Sequence, residues 1–327
     1  MIALLAAATT TAAQDANDEQ LPIILTPSST KVLPDLQSAI HTLPQCDSHG
    51  NLYSRIGLFN RLGTISKVSL DGPSQMYTVT VENPKGNMYF PAFHVTPDQR
   101  IWVLGSDKNG MYVFRFPEPS EPTKYDKITL QVPDGLTSLN VNSFVVLPKD
   151  NLLLMGYFGD DAPSEKKGHS YLAVFDSSGK VLRLSLEATT SEAIAYAKVW
   201  ASETVAYQEE SGGITYLLAH DRILVLSADG SITRTIPLLP VDKSYQANFF
   251  YMNRGRLIVS FYGPDVHPNK PLTHRYGLID PSNGEVIRWY DAGPELSKAA
   301  LVCFTDDGLV FTGSDHGHIK LMTAAIK

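Results

Sequence analysis

The sequence predicts an all-β chain folded as a six-bladed β-propeller closed by an N-terminal strand. Three observations carry that expectation. One strand–turn–strand pattern recurs six times, the recurrences are spaced like four-stranded blades, and the last unit lacks one strand while an apolar stretch near the N-terminus supplies one. Helical periodicity is nearly absent; only Thr189 to Ser202 reads as a single connecting helix.

Each unit follows from the same local chemistry. The second strands are the apolar runs "NLYSR", "RIWVLGSD", "NLLLMGYFGDD", "GITYLLAHD", "RLIVSFYGPD" and "GLVFTGSD", opening at Asn51, Arg100, Asn151, Gly213, Arg256 and Gly308. These openings lie 49, 51, 62, 43 and 52 residues apart, the period of a propeller blade. Third and fourth strands follow as alternating runs across Asp, Ser, Asn and Gly, as in "VSLDGPSQMYTV", "YLAVFDSSGKVLRLSL", "ILVLSADGSITRTIPL" and "YGLIDPSNGEVIRWYD". Tight hairpins need those residues. The second unit has the same strands with a longer, proline-rich connection. The sixth unit ends after three strands, and Leu21 to Leu33 has the apolar content of the missing fourth, so pairing there would remove the ring's open edge.

The propeller is thus expected to occupy residues 21–327 as one domain and to be a monomer. Residues 1–20 read as a signal-peptide-like leader and polar tail, with Ala13 as the cleavage point, which predicts an exported protein, periplasmic or secreted. No later run reaches 18 apolar residues, so no integral membrane segment is expected. Of 327 residues, 43% are hydrophobic and 19% charged, enough for a large core. The net charge is −7 without a basic cluster, which excludes the electrostatic footprint of a nucleic-acid partner or an anionic membrane surface.

The phrases "VTPDQRIWVLGSD", "FTDDGLVFTGSD" and "FDSSGKVLRLSL" resemble the six-bladed propellers of the NHL-repeat and gluconolactonase-like group. The resemblance covers all six units and is architectural. Blade lengths vary, and the metal-binding carboxylates of that group have no counterpart that can be placed in the inner strands. Fold alone does not carry function.

The stretch "FTGSDHGHIKL" holds the densest group of chemically active side chains, Asp315, His316 and His318. It aligns with "GSDKNGMYVF", so both are hairpins between a blade's second and third strands, turned at His316-Gly317 in one and Asn109-Gly110 in the other. His318 alternates with Lys320, on the side expected to face solvent. A metal would need at least three convergent ligands with support behind them, and the ligand count favours a turn.

The innermost strands line the channel. Their candidates "NMYFPAFHV", "LNVNSFVVL" and "YQANFFYM" align Phe93, Phe144 and Phe249, and surround them with neutral hydrogen-bonding groups, His94, Asn140, Asn142, Ser143, Gln246 and Asn248. These either satisfy backbone and water at the pore or form a polar floor for a neutral or weakly charged ligand. Two long insertions leave the face that carries the His316-Gly317 hairpin, with Asp160 and Asp161 in the third unit and His267 and His274 in the fifth. Loops on a rigid scaffold commonly carry recognition. No catalytic motif is present: there is no Gly-x-Ser-x-Gly elbow, phosphate-cradling glycine loop or His-Glu-x-x-His helix.

Cys46 and Cys303 both fall on innermost strands of blades that become neighbours when the ring closes. A disulfide needs Cα atoms within about 7 Å. Innermost strands of adjacent blades can lie farther apart, so two buried thiols are the favoured expectation. The sequence therefore points to a binding or scaffold module recognising a protein or small-molecule ligand on its loop-rich face, with no cofactor. The alternative is a lactonase-like hydrolase or lyase using a divalent ion at the channel mouth.

Overall fold

The computed structural model describes residues 21–37, 45–47, 51–56, 62–69, 77–117, 121–134, 138–159, 163–165, 167, 170–187, 206–208, 213–219, 221–238, 245–263 and 274–326. The expected leader, the helix over 189–202, and Asp160, Asp161 and His267 lie outside them.

Six sheets form the six blades. After β1 (Ile23–Leu25) and β2 (Ser29–Gln37), blade one runs β3 (Gln45–Cys46), β4 (Asn51–Ile56), β5 (Gly63–Ser69) and β6 (Tyr77–Val81). Blade two is β7 (Tyr89–Val95), β8 (Ile101–Asp107), β9 (Gly110–Phe116) and β10 (Asp126–Thr129); blade three is β11 (Val141–Val146), β12 (Leu152–Tyr157), β13 (Ser170–Phe175) and β14 (Val181–Glu187). Blade four is β15 (Ala206–Gln208), β16 (Ile214–Ala219), β17 (Arg222–Ser227) and β18 (Ile232–Pro237). Blade five is β19 (Gln246–Asn253), β20 (Arg256–Tyr262), β21 (His274–Ile279) and β22 (Val286–Ala292), and blade six holds β23 (Ala300–Thr305), β24 (Gly308–Asp315) and β25 (His318–Ala324).

The N-terminal strand closes blade six as expected, but in a shifted position. β2 pairs antiparallel with β25, placing Leu33 opposite Ile319. The upstream half of the predicted strand, β1, instead pairs parallel with β22 as a fifth strand of blade five. Closure is also covalent. Cys46 and Cys303 are disulfide-bonded with Cα atoms 5.5 Å apart, which corrects the expectation of two thiols. The neighbouring innermost strands β3 and β23 approach closely enough for the bridge.

Because side chains alternate along a strand, each blade presents one face to the preceding blade and one to the next. Apolar clusters fill the gaps between them. Tyr53, Phe90, Phe93 and Phe114 pack between blades one and two, and Trp102, Leu104, Phe144 and Tyr171 between two and three. One continuous cluster, including Leu153, Leu217, Phe250 and Phe261, runs from blade three through four to five. Tyr251, Tyr276, Phe304 and Phe311 fill the gap between five and six, and Leu33, Leu52, Val310 and Ile319 the gap between six and one. Burying one such side chain contributes about 1.5–3 kcal/mol, so these gaps are where the ring is held.

Polar contacts fix the angle between blades. The Asp150 carboxylate accepts from Arg100 at 2.9 Å and from Arg115 at 2.8 Å, tying blade two to the first turn of blade three, while both guanidiniums lie over the Trp102 ring. The turns from third to fourth strand press on the blade before them. A Cβ at Gly284 would sit 1.7 Å from the Pro237 carbonyl oxygen, so that turn needs glycine for space as well as for its φ of +83°.

Two alignments change. Lys108 and Asn109 form the blade-two turn, because Asp107 pairs with Gly110. On the innermost strands, Asn142 and Asn248 each fall at a β-bulge. Because the bulges are equivalent, the two strands align without a gap: Phe144, opposite Leu154, corresponds to Phe250, opposite Val259, while Phe249 lies opposite Ser260.

Candidate functional site

The structure gathers several of the candidate residues in one place, the gap between blades five and six on the face bearing the connections from second to third strand. On β20, Leu257, Val259 and Phe261 join the cluster shared with blade four, while Ile258 joins the cluster shared with blade six. Alternation then turns Tyr262 toward blade six. Tyr262 lies between Gln246 and His274 in register, so the three form a row on that wall. The Tyr262 hydroxyl donates to Gln246 Oε1 at 2.6 Å, which leaves the Gln246 amide N–H groups to serve another acceptor.

The opposite wall comes from blade six. Leu309, Phe311, Met322 and Ala324 belong to the cluster shared with blade five. The same alternation carries Gly313, Asp315, His318 and Lys320 to that side, since Gly313 pairs with Lys320 and Asp315 with His318. The gap is floored lower down by Tyr276 and Phe311, whose rings meet edge-on at 5.4 Å. Sequence reasoning placed His318 and Lys320 toward solvent; both are half-buried, on the face turned to blade five.

The electrostatics of the seam are unbalanced. His316 is 93% exposed and its Nδ1 lies 2.9 Å from Asp315 Oδ1, so Asp315 is engaged at the lip by the turn. That turn has His316 at φ +49° and Gly317 at +85°, the left-handed pair that a two-residue hairpin prefers. His318 Nδ1 is buried with no hydrogen-bond partner among the described residues. Burial holds the His274 imidazole below its ordinary pKa, favouring the neutral ring. Lys320 makes no ion pair among the described residues. Among those residues, no three His, Cys, Asp or Glu side chains are grouped to hold a metal ion.

The remaining candidates lie apart from this seam. His94 is buried between blades two and three, edge-on to Phe144 with ring centroids 6.1 Å apart. The Asn140 carbonyl accepts from the Tyr171 hydroxyl at 3.1 Å and from the Tyr157 N–H at 3.0 Å. Tyr157 also pairs with Ser170, so blade three carries a tyrosine at the place of Tyr262, turned toward blade four. Asn142 and Asn248 share equivalent bulges, and Asn248 is half-buried. Tyr262 and Lys320 were missed from sequence; the position of Tyr262 immediately before an insertion was the available signal.

No family model matches this chain, and no curated protein does. Solved structures share its architecture. The luciferin-regenerating enzyme superposes with a TM-score of 0.52 at 14% identity, over 92% of this chain and 97% of that one. A protein designated a gluconolactonase gives 0.49 at 10% identity, over 94% and 96%, and virginiamycin B lyase of Staphylococcus aureus gives 0.44 at 12%, over 90% and 98%. At 14% identity the likeness to the luciferin-regenerating enzyme is one of fold. No helix among the described residues is long and apolar enough to cross a membrane.

Proposed function

We propose that this protein is an exported, monomeric binding module whose recognition site is the seam between blades five and six. The observation that carries the reading is the register, which turns the Gln246–Tyr262–His274 row of blade five toward blade six and Asp315, His318 and Lys320 of blade six toward blade five, beside the Tyr276–Phe311 ring contact. An aromatic ring with a few convergent polar groups is the usual make-up of a small-ligand site. The chain from 264 to 273 connects Tyr262 directly to His274, so the longest connection of blade five begins and ends at the site. The disulfide supports export, because such bonds persist in oxidising compartments.

A ligand screen on the disulfide-intact protein, followed by calorimetry, tests this reading. A ligand bound by the wild type should be lost or strongly weakened in Tyr262→Ala and on replacing residues 264–273 by a short Gly/Ser turn. Unaltered affinity in both variants would move the site elsewhere. Stoichiometric calcium, zinc or manganese in the purified protein, together with turnover of a lactone, would replace the binding reading by the enzymatic one.

A further inference from the structure

The seam presents more donors than acceptors. Gln246 offers its amide N–H groups once Tyr262 has taken its oxygen, His274 and His318 offer imidazoles, and Lys320 brings an ammonium group. Asp315 is the carboxylate of the two walls, and it is engaged by His316 at the lip. A half-buried ammonium group without an anionic partner is costly, and a buried ring nitrogen without a partner adds to that cost. A bound acceptor that carries negative charge relieves the ammonium group.

We propose, resting on the recognition site above, that the seam binds a monoanionic carboxylate. Lys320 supplies the counter-charge, His318 and Gln246 supply hydrogen bonds, and the Tyr262 ring packs against the body of the ligand. The charge count selects a monoanion. One ammonium group is matched by one negative charge, while Asp315 at the lip repels a second. Two sources present this chemistry, a free organic acid and the C-terminus of a peptide.

Nuclear magnetic resonance on the full chain, reading histidine ring signals at fixed pH and ionic strength, tests the proposal and separates the sources. The probes are benzoate, benzamide, N-acetyl-Ala-Phe and its C-terminal amide. Benzoate should shift the His274 and His318 signals saturably, with a dissociation constant on the order of 1–10 mM for so small an ion, while benzamide should not. Lys320→Met, which keeps the aliphatic stem and removes the unpaired charge, should weaken benzoate by at least about tenfold, a loss of about 1.4 kcal/mol, with no fall in melting temperature. Tighter binding of the free-acid peptide than of benzoate, abolished by its amide, identifies a peptide terminus; the reverse order identifies an organic acid. Equal binding of benzoate and benzamide, or a benzoate affinity untouched by Lys320→Met, overturns the carboxylate assignment and leaves the recognition site standing if Tyr262→Ala still abolishes binding. Absence of any saturable shift with all four probes also overturns the carboxylate assignment, and the independent ligand screen then decides the recognition site.

Discussion

Cys46 and Cys303 are bonded across the junction of the first and last blades, 257 residues apart in the chain. The bond secures the innermost strands of that junction, while pairing of β2 with β25 secures an outer one. In the chain-entropy view a loop this long contributes about 5 kcal/mol. Replacing both cysteines by alanine should therefore lower the urea midpoint by an amount corresponding to several kcal/mol, and reduction of the wild type should match it. A midpoint unchanged by both treatments contradicts a closing role.

Removing residues 1–37 takes away both N-terminal strands and bares the edge of β25. Exposed edges recruit other chains, so the truncated protein should self-associate even with the disulfide intact. Light scattering after size exclusion decides it; a monomer with an unaltered melting curve rules out closure by β2.

Gly284 and Gly317 share nearly the same backbone angle, +83° and +85°, but only Gly284 faces a wall, the Pro237 carbonyl oxygen. Gly317→Ala should cost about 1–2 kcal/mol for the left-handed conformation alone. Gly284→Ala should cost more, by about 1–3 kcal/mol for the forced shift. Equal losses in paired urea titrations would mean that the turn does not bear on the preceding blade.

Burial holds His274 below its ordinary value of 6.5. Between 6.5 and the lower folded value the unfolded chain binds the proton more readily, so stability falls as pH falls through that window. His274→Gln should shrink the difference in urea midpoint between about pH 7.5 and about pH 5.5. Asp229 acts at the acid end. Hydrogen bonds from Ser227 first, then Ser231, hold it at about 2, so its contribution is complete above the ordinary carboxylate range and is lost as pH falls toward 2. The histidine variant should leave that acid limb unchanged, and an unchanged upper limb would show that His274 does not titrate as described.

The blades were legible because turn residues and alternation recur at a fixed period, and the closing strand because the last unit visibly lacked one. What sequence could not show was bulges and faces. Asn142 and Asn248 sit at equivalent bulges, so the two strands align without a gap and Phe144 corresponds to Phe250; the adjacent Phe249 offered the same residue type one position away. The turn at Lys108-Asn109 was misplaced by one residue because Gly110, with a φ of +145°, looks like a turn glycine and is instead the first residue of the next strand. The seam was hidden more deeply. His274 and His318 were both singled out, but only the ring's closed geometry turns the β21 row and the β25 row toward each other.

The most direct test of the recognition seam is affinity capture of small molecules. Immobilised wild type, Tyr262→Ala and a His94→Ala control are each exposed to a metabolite extract of the source cells, and the eluates are compared by mass spectrometry. The account predicts at least one compound retained by the wild type and the His94 variant and depleted about tenfold or more on the Tyr262 variant, the change expected from losing roughly 1.4 kcal/mol of binding. Compounds retained equally by all three proteins, or lost only from the His94 variant, would contradict a site between blades five and six.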